Sequence, residues 1–422
     1  MIFAKVFTFR QGFALLLMMW LTACSIAPQA SSAAARRDAP YLVLISIDGF
    51  RFDYLDRFPS PALQRIAAEG IRAESLRPVW PTLTFPNHFS IATGLYPAEH
   101  GIIANDFMNE SRYAWYHYKK RETVQDGSWY RGEPIWVAAE RAGIGSAAFY
   151  YVGTEAPVDG VAPSDWRPFD ASVPGGERVE QVLAWLALPE QQRPHVITLY
   201  FEHVDTTSHS YGPATPQTVA AIRRVDGWIG ELLKGIDASP LADKVTVFVV
   251  SDHGQGVYRN DEPLVLSDFM SLENIQIVES GPVSLLYLAD RSPQHVRAVR
   301  AAINARWQHG RAWLPEEAPA AWRIANSPRM ADIVLQAEPG YAVVSNRDQL
   351  GKINKGDHGW APESRSMHGI FLASGPGLPH GLNVGTIAAV DIYPLLLKQV
   401  GLTDQRKTRP SSPLLDAIGA AE

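Results

Sequence analysis

The sequence predicts an α/β fold: a mostly parallel sheet flanked by helices, with a smaller α+β insertion. Three observations predict it. Three apolar runs of strand length, at 41–47, 195–201 and 244–250, each lead into a turn that carries a carboxylate. Segments with helical periodicity separate them. The strand–helix alternation then weakens between about 258 and 350.

The first run, Tyr41-Leu42-Val43-Leu44-Ile45-Ser46-Ile47, ends at Asp48-Gly49. A nearly unbroken apolar run suits a parallel strand covered on both faces. Ser60 as N-cap, Pro61 at the first helical position and Gly70 past the end bracket a helix over Ala62 to Glu69. The second run, starting at His195, leads to Glu202-His203-Val204-Asp205. Thr215 and Pro216 then open a long helix, with Val219, Ile222, Val225, Ile229, Leu232 and Leu233 at helical spacing before Gly235. The third run, from Lys244 to Val250, leads to Ser251-Asp252-His253-Gly254. Val283–Leu288 and Ile333–Leu335 read as strands, and 293–307 as a helix, of the insertion placed at about 258–350. Asp391 to Val400 reads as a closing helix with Pro394 in its first turn. The folded domain spans 40–405, and 406–422 reads as a flexible tail.

Lys5 and Arg10 precede a short apolar run, Phe13 to Leu21, which is the pattern of a secretory signal over 1–23 and is short for a membrane span. Leu21-Thr22-Ala23-Cys24 resembles the bacterial lipobox, and Cys24 is the only cysteine of the chain. The expectation is an exported protein, lipid-anchored through Cys24 to the outer membrane and facing the periplasm. Residues 24–39, rich in Ala, Ser and Pro, read as a tether. A single cysteine leaves the mature fold without an internal disulfide. The net charge of −6, with no long run of either sign, offers no electrostatic footprint for long nucleic acid.

Asp48, Asp205 and Asp252 follow the ends of apolar strands. In an open α/β sheet the ligand crevice lies beyond the carboxyl ends of the strands, so residues far apart in sequence can converge there. A buried cluster of like charges is unfavourable without cations. Histidines accompany the carboxylates: His209 four residues after Asp205, His253 beside Asp252, and His358 in Gly356-Asp357-His358-Gly359. Mixed carboxylate and imidazole ligation suits zinc better than calcium or magnesium, and six ligands are enough for two metals. Each member has a plainer reading alone: Asp48-Gly49 as a turn, His203 as packing, Asp357 as a turn cap or a support for His358. A nucleophile is sought in Pro81-Thr82-Leu83-Thr84-Phe85-Pro86-Asn87-His88, ahead of a helix predicted over Phe89 to Thr93 whose amides face a phosphate. A threonine hydroxyl needs a metal or base to attack. Composition leaves Thr82 and Thr84 open.

The ordered set Ile47-Asp48-Gly49, Pro81-Thr82-Leu83-Thr84-Phe85-Pro86-Asn87-His88, Tyr96-Pro97 with His100-Gly101-Ile102, Asp205-Thr206-Thr207-Ser208-His209-Ser210-Tyr211-Gly212-Pro213, Ser251-Asp252-His253-Gly254 and Gly356-Asp357-His358-Gly359 resembles the nucleotide pyrophosphatase/phosphodiesterase family. That family belongs to the alkaline phosphatase superfamily, so the resemblance implies an alkaline-phosphatase-like core. It implies Thr84 as nucleophile and two Zn2+ ions. One is held by Asp48, Thr84, Asp252 and His253, the other by Asp205, His209 and His358. It implies contact of Asn105 with a phosphoryl oxygen. His368 is a rival for the last ligand, but the family's metal motif selects His358. The implied chemistry is hydrolysis of a phosphodiester or pyrophosphate bond through a phosphothreonine intermediate, giving nucleoside 5′-monophosphates.

The resemblance also places Phe85 and Tyr200 where nucleotide-cleaving members sandwich a base, with core packing as the plainer reading. Tyr150-Tyr151-Val152-Gly153-Thr154-Glu155 stands where many members read Trp-Pro-Gly-Ser-Glu. That loop borders the family's substrate pocket, so Tyr151 joins Phe85, Asn105 and Tyr200 as an expected substrate contact. The partner is then a small phosphodiester. The competing expectations are a lysophospholipid or glycerophosphodiester substrate, a phosphomonoesterase or phosphonate hydrolase, and a non-catalytic binding lipoprotein.

Overall fold

In the computed structural model, residues 40–259, 263–278, 281–404, 406 and 412–420 are described. The expectations for the signal segment, the tether and Cys24 fall outside these residues. No helix among the described residues is long and apolar enough to cross a membrane.

The strands of the central sheet, numbered in chain order, are β1 (Tyr41–Ile47), β2 (Ile71–Ala73), β3 (Ser146–Phe149), β4 (Asp165–Arg167), β5 (Val196–Phe201), β6 (Val245–Val250), β7 (Phe371–Ser374) and β8 (Leu382–Val384). Their spatial order is β8-β2-β7-β6-β1-β5-β3-β4. Only β7 runs against its neighbours β6 and β2; the other pairings are parallel. The sheet is therefore the mostly parallel one that the apolar runs predict. All seven residues of β1 and all six of β6 are buried, because helices cover both faces. Ile47 pairs with Phe201, and Ser46 with both Tyr200 and Val250. This register brings the carboxyl ends of β1, β5 and β6 to one edge.

Helices Pro61–Glu69, Gly175–Leu186 and Pro216–Asp237 pack on one face. The other face is covered by Thr84–Thr93, Ile135–Arg141 and Ile392–Gln399. A separate antiparallel sheet of four strands runs Ile275–Val278, Val283–Leu288, Ile333–Ala337, Gly310–Trp313 in spatial order, with helix Pro293–Asn304 against it.

Two elements differ from the sequence reading. The helix expected from Phe89 starts at Thr84, because Pro86 is tolerated in a first turn whose N–H groups have no helical partner. The tail expected to be flexible forms helix Pro413–Gly419. Leu414 and Ile418 are buried in the core that also holds Leu395 and Leu396 of the closing helix, so apolar burial fixes this segment.

Candidate active site

Asp48 follows β1 directly, and Asp252 and His253 lie just past β6. Asp205 and His209 stand on one face of helix His203–Tyr211, which continues from β5. His358 comes from the loop after the inserted sheet, and Thr84 opens helix Thr84–Thr93. The structure brings all seven together. His253 Nε2 lies 3.0 Å from Asp252 Oδ2, 3.4 Å from Asp48 Oδ1 and 3.3 Å from Thr84 Oγ1. Asp205 approaches His209 Nε2 at 3.2 Å through Oδ2 and His358 Nε2 at 3.8 Å through Oδ1. The His253 and His358 rings stack with centroids 3.6 Å apart and join the two groups.

Each histidine is oriented by main chain. His253 Nδ1 meets the Gly254 carbonyl at 2.9 Å, His209 Nδ1 that of Gly356 at 2.9 Å, and His358 Nδ1 that of Thr82 at 2.8 Å. A carbonyl only accepts, so Nδ1 carries a proton in each ring. Nε2 is the nitrogen left to face the carboxylates, and it can ligate a metal once it carries no proton.

The electrostatics point the same way. Burial, followed by the carboxylates of Asp252 and Asp205, pushes the Asp48 carboxyl well above the usual range. Burial also works against the charge on Asp252, but the His253 and His88 rings overcome it and hold that carboxyl well below its usual range. Burial opposes ionisation of Asp205 too, yet His209 holds it low, while Asp205 in turn lifts His209 to about 10 against burial. Burial and then His253 push His358 down to about 3. Buried Oδ1 of Asp48 and Oδ2 of Asp252 have no hydrogen-bond donor. Orphaned carboxylate oxygens beside imidazole nitrogens are what a cation would satisfy. Among the described residues, Asp48/His88/Asp252, Asp205/His253/His358 and His209/Asp357/His358 each bring their ligand atoms within 4.8 Å. The nitrogen and oxygen donor set fits zinc.

The two threonines separate cleanly. Thr82 is fully buried; its hydroxyl donates to the Trp360 carbonyl at 2.7 Å and accepts from Gly359 N–H at 2.9 Å. That hydroxyl ties the loop to the His358 segment. Thr84 is partly exposed, at the N-terminus of its helix, with its hydroxyl on His253. Asn105 Oδ1 accepts the Phe85 N–H at 3.0 Å and so caps this helix from a distant loop. His368, the rival ligand, has its ring nitrogens on Ser75 Oγ at 2.9 Å and the Pro362 carbonyl at 3.0 Å, outside the cluster.

The expected substrate contacts fare differently. Phe85 is half-buried, with Tyr118 and Tyr116 edge-on at 5.6 and 6.1 Å. Tyr200 is half-buried and donates its hydroxyl to Asp48 Oδ2 at 2.6 Å. Tyr151 is corrected. It is buried against Trp136 and His88 and donates its hydroxyl to the His88 carbonyl at 3.1 Å, so it packs behind the site.

Several residues at the site escaped the sequence reading. His88 Nδ1 meets the Thr84 carbonyl at 2.9 Å and Asp252 Oδ2 at 3.3 Å, while its Nε2 meets Ser46 Oγ at 2.7 Å. Asn87 holds the loop by accepting from Val79 N–H and donating to the Pro81 and Leu83 carbonyls. Gln255 donates to Asp205 Oδ1, and Tyr258 donates to Asp357 Oδ2. For His88 and Asn87 the signal was their place one turn after the nucleophile candidates; Gln255 and Tyr258 carried none.

A sheet whose strand ends gather carboxylates and imidazoles around a threonine at a helix N-terminus is the architecture of the alkaline phosphatase superfamily. Residues 42–361 match the profile described as type I phosphodiesterase / nucleotide pyrophosphatase. Human ectonucleotide pyrophosphatase/phosphodiesterase family member 1 is 32% identical over 375 residues, covering 87% of this chain and 40% of that protein. The bis(5′-adenosyl)-triphosphatase of Xenopus laevis is 31% identical over 368 residues, covering 87% of this chain and 79% of that one. This chain thus spans well under half the length of the first relatives it matches. The solved structure of murine ectonucleotide pyrophosphatase/phosphodiesterase 5 superposes with a TM-score of 0.83 at 26% identity, over 90% of this chain and 100% of that chain. The same murine protein is also known as an inactive threonine-to-alanine variant in complex with AMP. The chain belongs to the type I phosphodiesterase / nucleotide pyrophosphatase family.

Proposed function

We propose that this protein is a two-zinc phosphodiesterase that cleaves phosphodiester or pyrophosphate bonds of nucleotides and releases nucleoside 5′-monophosphates. The observation that carries the reading is the hydroxyl of Thr84, 3.3 Å from His253 Nε2 at a helix N-terminus beside converging carboxylates. Asp48, Thr84, Asp252 and His253 would hold one zinc, and Asp205, His209 and His358 the other. Bound zinc supplies Lewis-acid charge and lowers the pKa of a hydroxyl or water. Thr84 Oγ1 gives up its proton to solvent and attacks phosphorus, the bond to the leaving oxygen breaks, and its electron pair departs with that oxygen, which takes up a proton where it leaves as an alcohol. The product on the protein is a phosphothreonine ester that still carries the nucleoside. Water then displaces Thr84 from phosphorus, which restores the hydroxyl and frees the monophosphate. Asn105, held by its Oδ1 on the Phe85 N–H, offers its amide to a phosphoryl oxygen. The half-exposed rings of Phe85 and Tyr200 offer faces for a base. The relative named as a bis(5′-adenosyl)-triphosphatase, and the one solved with AMP, support the nucleotide reading.

The test is a substrate panel on zinc-loaded protein: dinucleotides, NTPs, NAD and glycerophosphodiesters. Turnover of nucleotides with competitive inhibition by AMP is expected. Turnover of glycerophosphodiesters alone, unaffected by AMP, would overturn the nucleotide assignment. Anchoring through a lipid on Cys24 is proposed with it. Labelled palmitate should enter the parent and not Cys24→Ser, and equal labelling would refute the anchor.

A further inference from the structure

Tyr200 lies on β5 in register with Ser46 of β1. Neighbours across a parallel pair share one face of the sheet, so both residues reach toward the start of helix Thr84–Thr93. Ser46 Oγ meets His88 Nε2 at 2.7 Å, and the Tyr200 ring meets the His88 ring edge-on at 5.3 Å. Beyond that ring, the Tyr200 hydroxyl donates to Asp48 Oδ2 at 2.6 Å. The strand end that carries it is clamped. Arg178, fully buried, donates to the Tyr200 carbonyl at 2.8 Å and forms a two-point pair with Glu202 at 2.7 and 2.9 Å.

A carboxylate that binds a metal through one oxygen can rotate about χ2 unless its other oxygen is held. In Asp48 the held oxygen is Oδ2. Oδ1 is buried, has no donor and faces His253 Nε2 at 3.4 Å. A tyrosine hydroxyl suits this task because it supplies one directed donor without adding charge to the cluster. Groups that orient a metal ligand typically matter by roughly 10- to 100-fold in metal affinity.

We propose that the Tyr200 hydroxyl positions Asp48 as a metal ligand, so this tyrosine serves the metal side of the site as well as the substrate side. The inference rests on the metal-site reading above and deepens it by separating two parts of one side chain. The ring is the face offered to substrate, and the hydroxyl is the strut for Asp48.

Tyr200→Phe divides them, since it keeps the ring and removes only the hydroxyl. Zinc affinity is measured by chelator competition on full-length protein, with metal-free parent and variant matched by circular dichroism. Tyr200→Phe is expected to weaken zinc binding roughly 10-fold or more. Its inhibition constant for AMP, measured at saturating zinc, is expected to stay within about 2-fold because the stacking face is intact. The same substitution is then made in an Asp48→Asn background. There the loss should shrink to under about 2-fold, since coupled residues lose their mutual effect once one is gone. Unchanged zinc affinity in Tyr200→Phe would overturn the proposal, and so would an equal loss in both backgrounds. Zinc affinity is read without turnover, so a parent that binds zinc but cleaves no diester would sink the proposed function and leave this inference standing.

Discussion

Asp48, Asp252 and His253 stand at strand ends with side-chain exposures of 2%, 0% and 0%, whereas Asp205 and His209 stand on a helix with 13% and 23%. The first group has two carboxylates to one imidazole and sits against the sheet. The second, completed by His358, has one carboxylate to two imidazoles and opens toward solvent. A dry, carboxylate-rich group holds a cation through charge that water cannot screen. An imidazole-rich group at the mouth binds in competition with protons and admits water. Thr84 touches the dry group, and in the proposed mechanism the attacking water belongs with the open one.

The most severe way to test this division is Thr84→Ala. Diester turnover should fall by about 1000-fold or more, because the covalent route is lost. Zinc per chain should stay at the parental value, since the other ligands remain. Turnover above a tenth of the parent would remove Thr84 as nucleophile.

Asp252→Asn and His209→Gln compare the two groups directly. Removing charge from the dry side should cost roughly 100-fold or more in zinc affinity, and removing the exposed imidazole roughly 10-fold, scaled from the effect of supporting residues. Chelator competition reads both values, and the reverse order would show that burial does not govern the difference.

A subtler contrast lies in pH. In metal-free protein His209 sits near 10, because Asp205 outweighs burial. That raised value contributes stability fully present below the unfolded value of about 6.5 and lost as pH rises through about 10. Asp205 contributes in the opposite sense: its stability is present above an unfolded value of about 3.9 and lost as pH falls through about 2. The pair therefore stabilises the metal-free fold most from about pH 4 to 6.5. Zinc must displace the His209 proton, so below about pH 10 this residue adds about tenfold in affinity per pH unit. In His209→Gln the slope of log affinity against pH should fall by about one between pH 6 and 8.5, and an unchanged slope would place the displaced proton elsewhere.

The smallest effect is expected from Tyr258→Phe. Tyr258 donates to Asp357 Oδ2 at 2.5 Å, and Asp357 Oδ1 lies 3.7 Å from His209 Nδ1. Acting at two removes, the change should lower zinc affinity by about 2- to 5-fold. A larger loss than His209→Gln would mean that the open group depends on Asp357 more than on its own imidazole.

The parallel core was legible because β1, β5 and β6 are apolar along their whole length. Their terminal carboxylates were legible because strand ends define a crevice. Choosing Thr84 over Thr82, or His358 over His368, needed the family motif, since residue type is the same at both positions. The remaining support was hidden for a physical reason. Tyr200 reaches Asp48 across 152 positions through the register of β5 on β1, and Gln255, in the loop past β6, reaches Asp205 on the helix after β5 across 50. Tyr151 was misplaced because its place in a loop that borders the family's pocket does not say whether its ring turns toward substrate or core. The tail helix was missed because its two buried residues make too short a pattern to outweigh the polar segment before it.

The three histidines of the cluster take their orientation from carbonyls of Gly254, Gly356 and Thr82. Every amino acid has that carbonyl, so the orientation does not depend on which side chains stand at those three positions. The exposed point is steric. A Cβ at Gly254 would collide with the Ser366 carbonyl, and one at Gly356 with the Ser208 carbonyl. A side-chain substitution elsewhere in the cluster leaves these carbonyl contacts in place, whereas a side chain at either glycine would push on the main chain that orients an imidazole.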